Sequence, residues 1–551
     1  MSENDVDVLI AGAGPVGLAA AIELGRRCIR CMVVERNERV GLSPRAKTTN
    51  VRTREHLRRW GIADALRAAS PIGPDYPCTV VFATRMNGPE LARFDNAVNG
   101  SRERNDLYSE EAQWVPQYVL EEVLRQKACS LPGVTVTFNA ELTSFSETAH
   151  SVASVIKNLL SGETTTTSSA YVIGADGARS IIRECMGASM VGTEVSFQNY
   201  NTIFHAPELA TRQRHGKAIM YWMVNEEVPS VLGPLDEKGL WSFTATKLPG
   251  NVDPATLDPI DLIRRGTGLR DLKIEVVGNF SWVAHQLIAD RYQSNRVFLA
   301  GDSCHLHPPF GGFGMNMGIA DAVDLGWKIA ATLQGWGGPE LLDTYQFERR
   351  RVHERTTAES ALNYGALSNQ LVRPGIEEDG ATGAATRNEV GEIIRATKMR
   401  EFKTLGVVLG YRYESPIIIA EDGDPPLEDA VVYLPSAYPG CLAPHLWLRD
   451  GSSLYDHFGE GFTLLVTEGE QSEAAPLVEA AHALRLPLQV LSPGDPRLRL
   501  RYESRFALIR PDQHVAWRGD TIPADGHALL SRVTGNHGAF GQKTRGQMSA
   551  R

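Results

Sequence analysis

The spacing of apolar residues near the N-terminus predicts a strand, a helix and a second strand in close succession. Residues 6–11 (VDVLIA) and 31–35 (CMVVE) are almost continuously apolar. Runs of this kind are typical of parallel strands that are buried on both faces. Between them a glycine-rich turn leads into a helical pattern over about 16–27. The order predicts a βαβ unit with a parallel sheet.

Further apolar patterns at helical spacing predict long helices later in the chain. They cover about 51–69, 115–129 and 315–334, and helices are also expected over 352–408. Inside that last region, EEDGATGAAT at 377–386 interrupts the periodicity with glycine, aspartate and threonine. We therefore expect a flexible stretch there.

Residues 185–285 have a different texture, with short apolar runs separated by proline, glycine and asparagine or aspartate. That spacing predicts a mainly antiparallel sheet, distinct from the parallel one. VFLAGD at 297–302 then returns to the buried parallel type, so the chain re-enters its first domain. The acidic, proline-containing EDGDPPLED at 421–429 predicts a linker before a second α/β-like tail.

The predicted fold class is α/β, in several domains, since 551 residues exceed what one hydrophobic core usually serves. The predicted division is a discontinuous nucleotide-binding domain (1–184 and 286–365), an inserted β-sheet substrate domain (185–285), a helical segment with linker (366–428) and a C-terminal domain (429–551).

Charge and composition exclude several classes of function. The net charge of −10 disfavours a nucleic-acid partner, because neutralising phosphates needs a basic surface. The short basic clusters at 349–351 (RRR) and 497–501 (RLRLR) are expected to be solvated faces. The sequence contains no run of about 18 apolar residues, so no membrane span is predicted. The N-terminus does not resemble a secretory signal.

The seven scattered cysteines favour a reducing, cytoplasmic location. Cys28 and Cys31 form a CxxC, but no second pair completes a zinc site. We interpret them as small packed side chains without redox or metal function.

Gly12, Gly14 and Gly17 form a GxGxxG between the first strand and its helix. In this pattern the first glycine permits a tight turn, the second lets the backbone approach a pyrophosphate, and the third allows close helix–strand packing. The helix N-terminus adds free N–H groups and a partial positive charge. Glu35 ends the second strand, where a carboxylate can accept hydrogen bonds from an adenosine ribose. These features predict a dinucleotide site without distinguishing FAD from NAD.

Two later stretches indicate flavin. In YVIGADGARSIIR, Asp176 and Gly177 follow an apolar strand. In RVFLAGDSCHLHPPFGGFGMNMG, Asp302 ends a strand and a proline- and glycine-rich loop leads into a helix near Met315. Such a loop can bring backbone N–H groups and a helix N-terminus against the negatively charged edge of a reduced flavin.

With these three motifs in this order, residues 6–355 resemble the flavoprotein aromatic hydroxylases, the group that includes para-hydroxybenzoate and phenol hydroxylases. The resemblance implies that Glu35 holds the adenosine ribose, that Asp302 binds ribityl or ribose hydroxyls, and that Asp176 is linked to FAD and NAD(P)H binding. It also implies cofactor contacts at the following positions: Gly12, Gly14, Gly17, Arg36, Arg45, Gln117, Arg125, Pro309, Gly314, Met315 and Asn316.

The resemblance further implies hydroxylation of a phenolic or polyketide-type ring by O₂, with NADPH or NADH as the reductant, through a flavin C4a-hydroperoxide. A base or hydrogen-bond acceptor beside the phenol is then expected. Candidates for that catalytic role are His215, Tyr221 and His305. Arg214, Tyr221 and Trp222 are candidates for the substrate pocket. His305 and His307 form an HxH, but without a third ligand no metal site is expected.

The tail, with APHLWLRDGSSLYDHFGEGFTLL, resembles the thioredoxin-like C-terminal domain of the phenol-hydroxylase branch. It lacks a CxxC, and Cys441 alone cannot carry out dithiol exchange. We interpret the tail as structural, and an interpretation in which it supports a homodimer stays open.

Three alternatives remain to be weighed. A flavin-dependent halogenase would carry a Trp-x-Trp-x-Ile-Pro stretch, which the sequence lacks. A Baeyer–Villiger or other tailoring oxygenase of the same fold stays open, as does a non-catalytic flavin-binding sensor.

Overall fold

A computed structural model describes residues 4–38, 46–248, 253–365 and 368–536. Its strands are β1 (Val6–Ala11), β2 (Cys31–Glu35), β3 (Thr48–Thr49), β4 (Val80–Ala83), β5 (Glu90–Phe94), β6 (Gln113–Trp114), β7 (Val134–Phe138), β8 (Ala140–Glu147), β9 (Val152–Asn158), β10 (Thr164–Gly174), β11 (Met190–His205), β12 (Met220–Met223), β13 (Ser230–Pro234), β14 (Leu240–Leu248), β15 (Glu275–Ala289), β16 (Val297–Leu299), β17 (His305–Leu306), β18 (Phe462–Val466), β19 (Leu488–Leu491), β20 (Phe506–Ile509) and β21 (Val515–Gly519).

The α-helices follow the same chain order. They are α1 (Pro15–Gly25), α2 (Val51–Arg59), α3 (Ala63–Ala69), α4 (Gln117–Cys129), α5 (Ile181–Cys185), α6 (Leu209–Arg212), α7 (Pro259–Thr267), α8 (Gly314–Leu333), α9 (Thr344–Tyr364), α10 (Ser368–Leu371), α11 (Gly380–Phe402), α12 (Leu405–Val408), α13 (Ala475–Ala483), α14 (Arg497–Tyr502) and α15 (Gly526–Val533).

The first sheet has the strand order β7-β2-β1-β10-β9-β8, with β16 also pairing with β10. Strands β7, β2, β1, β10 and β16 run parallel, whereas β9 and β8 join as an antiparallel edge. The strand β10 lies between β1 and β16, and Gly174 is in register with both Ala11 and Leu299. The three strands therefore end at one edge of the sheet, where α/β proteins bind ligands.

The N-terminal βαβ unit forms as predicted, and its apolar strands and helix lie in one continuous core with β10 and α8. The helix predicted over 51–69 is instead two helices, α2 and α3. The chain turns between them at Gly61, whose φ of +74° is a left-handed conformation that favours glycine and ends α2.

The second sheet has the order β17-β15-β11-β14-β13-β12-β4-β5. Its strands pair antiparallel, as expected for 185–285, except for the parallel pair β12 and β4. The sheet is larger than the predicted insert, because β4, β5 and β17 reach it from outside 185–285. Tyr221 of β12 is in register with Val81 of β4, so this strand from the N-terminal part of the chain pairs with the inserted sheet.

The helical region after the second sheet differs from one expectation. Most of EEDGATGAAT at 377–386, predicted to be flexible, lies in α11, which begins at Gly380. Apolar residues such as Val390 and Ile394 further along this helix are buried, so tertiary packing outweighs the weak local propensity. Residues 421–429 contain neither helix nor strand, as expected for a linker.

The C-terminal sheet has the order β19-β18-β20-β21. Strands β18 and β19 are parallel, β20 runs antiparallel to β18, and β21 antiparallel to β20. The sequence of elements is β18-α13-β19-α14-β20-β21-α15. Within the described part of the chain, no helix combines the length and apolar character that a membrane crossing requires.

The basic cluster 349–351 is only in part the solvated face that was predicted. Arg349 is fully buried in α9 and pairs with Asp321, whereas Arg351 is more than half exposed. In the cluster 497–501, Leu498 is buried and Leu500 is exposed. The prediction was wrong for Arg349 because a buried carboxylate on a neighbouring helix offsets its charge.

Candidate functional site

The segments after β1 and β16 meet at the edge where their strands end. Gly301 follows β16 with a φ of +66°, and a Cβ built on it would lie 2.8 Å from Val16 Cγ2 in α1. A Cβ built on Gly318 of α8 would lie 2.5 Å from the same atom. The start of α1 and the loop that leads into α8 therefore form one continuous surface, as one long cofactor would require.

The glycines of the first turn are needed for different reasons. Gly12 has a φ of +102°, and a Cβ there would collide with Ala175 O, while a Cβ on Gly17 would collide with Gly12 O. Around Gly14, by contrast, no atom of the described residues lies within 4 Å of a built Cβ. The turn is tightly packed at Gly12 and Gly17, whereas its backbone is unobstructed at Gly14. A pyrophosphate could therefore lie against the backbone at Gly14.

Glu35 closes this turn from the end of β2. Its Oε2 accepts a hydrogen bond from Ala13 N at 2.8 Å, and its Oε1 accepts one from Asn37 N at 2.9 Å. Oε1 also accepts from Asn37 Nδ2 at 2.5 Å, which leaves a second lone pair on Oε2, so the half-buried carboxylate can still accept from a ribose hydroxyl. Arg36 is exposed beside it.

Asp176 lies at the same edge, after β10. Its carboxylate accepts from Ser180 Oγ at 2.6 Å and from Ile182 N at 3.2 Å, so it satisfies the N-terminus of α5. Burial raises the pKa of this carboxyl. The structure gives Asp176 a helix-capping contact, and its link to FAD or NAD(P)H stays a prediction.

The loop before α8 is tied to the segment before α2 by Asn316. Its Nδ2 donates to Thr48 O at 2.9 Å and to Gly312 O at 2.7 Å, and its Oδ1 accepts from Asn50 N at 3.0 Å. These bonds hold the first turn of α8 in place. Other predicted contact residues lie along the loop at the surface or half-buried: Asp302, Pro309, Gly314 and Met315.

The predicted cofactor-contact residues outside these motifs have different surroundings. Arg45 lies outside the described residues. Gln117 Oε1 accepts from Ala46 N at 3.0 Å, so its side chain holds the chain directly after Arg45. Arg125 forms an ion pair with Glu122 at 2.6 Å on the partly exposed side of α4.

A buried charged cluster that was not predicted from the sequence lies beneath the loop. Asp321 of α8 accepts from His305 Nε2 at 2.9 Å, from His353 Nε2 at 2.8 Å, from Arg349 Nε at 2.8 Å and from Gly301 N at 3.0 Å. Burial alone would raise the pKa of this carboxyl, but His353, Arg349 and His305 hold it well below its usual value. The cluster fixes the loop by bonding it to two helices.

His307 lies between this cluster and the start of α8. Its ring is parallel to that of His305, with centroids 6.0 Å apart, and its Cε1 is 3.5 Å from a Cβ built on Gly314. Burial, followed by the proximity of His305, lowers the pKa of His307 to about 4. Its buried Nε2 has no hydrogen-bond partner among the described residues. A neutral imidazole at the end of the loop can therefore donate a hydrogen bond to a ligand placed there or accept one from it.

Cys304, His305 and Asp321 also bring one potential metal-ligand atom each within 4.8 Å of one another. Both oxygens of Asp321 already accept hydrogen bonds inside the cluster. The hydrogen-bonded cluster thus accounts for this arrangement, and His305 is held as a partner of Asp321.

The candidate pocket residues on the second sheet face different ways. Trp222 faces the loop, with its ring centroid 6.0 Å from that of Phe310. Tyr221 belongs to the core on the opposite face, and its hydroxyl donates to Gly216 O at 2.6 Å. Buried His215 donates to Arg85 O, and Arg214 is exposed. Of these four, the structure brings Trp222 alone to the loop.

Comparison with known families matches both halves of the chain. Residues 5–360 match the family described as "FAD binding domain", and residues 436–536 match "Aromatic-ring hydroxylase, C-terminal". The chain is 33% identical to a "Putative polyketide hydroxylase" of Streptomyces halstedii over 94% of each chain. It is 31% identical to the "4-methyl-5-nitrocatechol 5-monooxygenase" of a Burkholderia species over 96% of each.

Solved structures resemble this chain over nearly its whole length. The rebeccamycin biosynthetic enzyme RebC with reduced flavin has a TM-score of 0.89 and 34% identity, covering 96% of this chain and 99% of that one. The ternary complex of aklavinone-11 hydroxylase with FAD and aklavinone has a TM-score of 0.83 and 31% identity, covering 97% of this chain and 100% of that one. The resemblance therefore extends across the proposed cofactor site and across the first and second sheets.

Proposed function

The chain belongs to the FAD-dependent aromatic-ring hydroxylases, a family of monooxygenases that act on phenols and polyketides, and from that premise we propose that it hydroxylates a phenolic or polyketide-type ring with NAD(P)H and O₂. The single observation that carries the proposal is the contact of Val16 with Gly301 and Gly318. It joins the turn after β1 to the loop before α8 in one site.

The residues of this site fit FAD. The turn around Gly14 leaves backbone bare for a pyrophosphate, and the half-buried Glu35 carboxylate can accept from the adenosine ribose. The exposed Asp302 is proposed to accept hydrogen bonds from the ribityl hydroxyls, and the first turn of α8 to offer N–H groups to an anionic ring edge. When bound, FAD supplies the hydride acceptor and the site at which O₂ is activated.

The chain's own residues position the reactants and exclude water. Asn316 holds the first turn of α8 against the segment before α2, and the cluster around Asp321 holds the loop from below. Trp222 and Phe310 provide an apolar, aromatic face on which a ring can pack. Contacts of FAD with Gly12, Gly17, Arg36, Arg45, Gln117, Arg125, Asp176, Pro309, Gly314 and Met315 belong to the same proposal.

The experiment is a measurement of substrate-stimulated turnover. The purified protein is expected to be yellow, to oxidise NAD(P)H faster when phenols or hydroxylated polyketides are added, and to consume O₂ in proportion to hydroxylated product identified by mass spectrometry and NMR. An ester or lactone product would identify Baeyer–Villiger oxidation instead. Bound FAD without any stimulated NAD(P)H oxidation would identify a flavin-binding sensor.

We further propose that the C-terminal domain is thioredoxin-like, structural and without dithiol chemistry. The order β19-β18-β20-β21, with one parallel and two antiparallel pairs, supports the fold. The seven free cysteines are in keeping with a cytoplasmic location. A homodimer stays a prediction, which size-exclusion chromatography with light scattering would test.

A further inference from the structure

Helix α11 places a charged side chain where an apolar one would be expected. Lys398 is fully buried, and its Nζ lies 4.4 Å from the centroid of the Trp222 ring and 5.8 Å from that of Phe310. It pairs with Glu401 Oε2 at 2.6 Å and donates to Asn363 O at 3.2 Å. The ammonium therefore lies against Trp222 of the second sheet and close to Phe310 of the loop that this side of the sheet faces.

A buried ion pair of this kind needs a reason beyond stability. Apolar residues of similar volume often stabilise a core as well as a buried ion pair does, because desolvating two charges is costly. Lys398 has three N–H donors, and two of them are used by acceptors among the described residues. A second buried lysine, Lys328, is held between two carboxylates, Asp324 and Glu348. Lys398 has one carboxylate partner within the described chain.

Helix α9 contributes a second, independent observation beside Lys398. The side chain of Asn363 is 1% exposed, yet neither its Oδ1 nor its Nδ2 has a hydrogen-bond partner within the described ranges. The same is true of Thr357 Oγ1 on the same helix. Ser360, between them, bonds His307 of the cofactor loop at 3.4 Å. Unpaired buried polar atoms are costly, so the unpaired amide of Asn363, beside an ammonium with one N–H donor unused, indicates a ligand.

We propose that Lys398 and Asn363 form the substrate-recognition end of the active site and bind the phenolate oxygen of the aromatic substrate. The inference rests on the proposed hydroxylase function and adds to it the ionisation state of the substrate that the site selects. Trp222 and Phe310 pack on the ring, while the ammonium and the amide N–H groups bind its oxyanion.

The chemistry of hydroxylation gives this arrangement a purpose. A phenolate is a far better nucleophile than a phenol at the ring carbons that receive oxygen. A fixed cation beside the oxygen favours the ionised form, because an opposite charge at short range lowers the pKa of an acid. Burial lowers the pKa of Lys398, and the ion pair with Glu401 opposes that change and holds the ammonium in place before the phenolate binds.

Equilibrium dialysis of the FAD-loaded protein, without NAD(P)H, tests the proposal. The probes are 2,4-dichlorophenol and 1-hydroxyanthraquinone, each paired with its O-methyl ether. The wild type is expected to bind each phenol at least about tenfold more tightly than the ether, as a hydrogen bond to a charged group implies. The double variant Lys398→Met/Glu401→Gln, which removes both charges together, is expected to lose that preference while its affinity for the ethers is unchanged.

Two further variants keep the test decisive. Asn363→Leu is expected to lose part of the preference. Lys403→Met, which removes an ammonium that lies directly after the same helix and donates to Asp95 O and Asn96 O, is expected to keep it. Equal binding of phenols and ethers by the wild type, no binding of any probe, or an unchanged preference in the double variant would overturn the proposal. Failure of the hydroxylase function would be seen separately, as a wild type that retains no FAD or shows no stimulated NAD(P)H oxidation.

Discussion

Val16, in the first turn of α1, lies directly against Gly318 of α8: a Cβ built on Gly318 would approach Val16 Cγ2 to 2.5 Å and Gly301 Cα to 3.0 Å. The two helices that are proposed to present their N-termini to FAD therefore meet at a point that only a glycine permits. The distance between the two halves of the site depends on this contact.

Substituting Gly318→Ala is expected to push α8 away from α1 and so to weaken FAD binding. Overpacking of this kind typically costs about 1–3 kcal/mol of folding free energy. Thermal unfolding and FAD retention after gel filtration measure the two effects. The matched control is Gly278→Ala, where no atom of the described residues lies within 4 Å of the new Cβ. Equal FAD retention in both variants would contradict the role given to this contact.

Replacing Asp302→Ala is expected to weaken FAD binding with little change in the thermal midpoint of the FAD-free protein. The exposed carboxylate is proposed to accept hydrogen bonds from ribityl hydroxyls, and bonds to a charged group are worth about 1.5–3 kcal/mol each, or at least tenfold in the FAD dissociation constant. Fluorescence titration of the FAD-free protein measures it. Asp75→Ala, at an exposed loop, is the control. Unchanged affinity in Asp302→Ala would remove its assigned role.

Local signals in the sequence were enough to predict the cofactor half of the fold. The βαβ unit and its GxGxxG need only neighbouring residues, and Gly12 and Gly17 both carry the constraints expected of that motif. The pairing of β4 with β12 could not be predicted in this way, since it joins segments far apart in the chain and depends on tertiary packing.

The missed residues of the site share one property. Asp321, Arg349 and Lys398 are charged residues in helical patterns, where a solvated face is the usual interpretation. Asp321 and Arg349 offset each other's charge between α8 and α9, whereas Lys398 pairs with Glu401 one turn along its own helix. On the second sheet, the alternation of side chains along β12 separates Trp222 from Tyr221, but the sequence alone does not say which face meets the cofactor loop.

Changing Cys28→Ser or Cys31→Ser is expected to leave turnover and FAD content unchanged. Burial, followed by the nearby charge of Asp7, raises the pKa of the Cys31 thiol to about 12, so it is not a thiolate at neutral pH. Cys28 is exposed and unpaired. Steady-state NAD(P)H oxidation together with the flavin absorbance checks this. Loss of activity at normal FAD content would indicate a dithiol function for the pair.

Substituting Arg510→Met is expected to detach the C-terminal domain from the cofactor domain. Fully buried Arg510, after β20, pairs with Glu348 of α9 at 2.8 Å and with Asp324 of α8 at 3.0 Å. Removing one partner from a buried ion cluster typically costs about 3–5 kcal/mol, because it leaves uncompensated charge.

Thermal unfolding and limited proteolysis of the linker at 421–429 measure this loss of contact. Arg499→Met is the control, since Arg499 pairs with Glu468 at the surface, where such a pair is worth about 0–1 kcal/mol. Similar proteolysis rates for wild type and Arg510→Met would show that the cluster does not hold the domains together.

The pH dependence of stability is expected to report on buried His445 in the C-terminal domain. Burial lowers the pKa of His445 to about 4, below the value near 6.5 of an unfolded histidine. Between these values the unfolded chain binds more protons, so the stability contributed by the neutral form is complete above about pH 6.5 and is lost as the pH falls toward about 4. His445→Gln should therefore gain roughly 2 kcal/mol relative to the wild type between pH 7 and pH 4.5.

Urea or thermal unfolding of both proteins at the two pH values measures this difference. Comparing variant with wild type cancels other groups, among them Asp324, whose pKa burial raises to about 7 and which therefore acts in the opposite direction. His150→Gln, at an exposed turn, removes a histidine without touching a buried group and should leave the pH profile as it is. If His445→Gln and His150→Gln gave the same profile, the pKa of His445 would have to be the same in the folded and unfolded chain, which would contradict its burial beside Ser453.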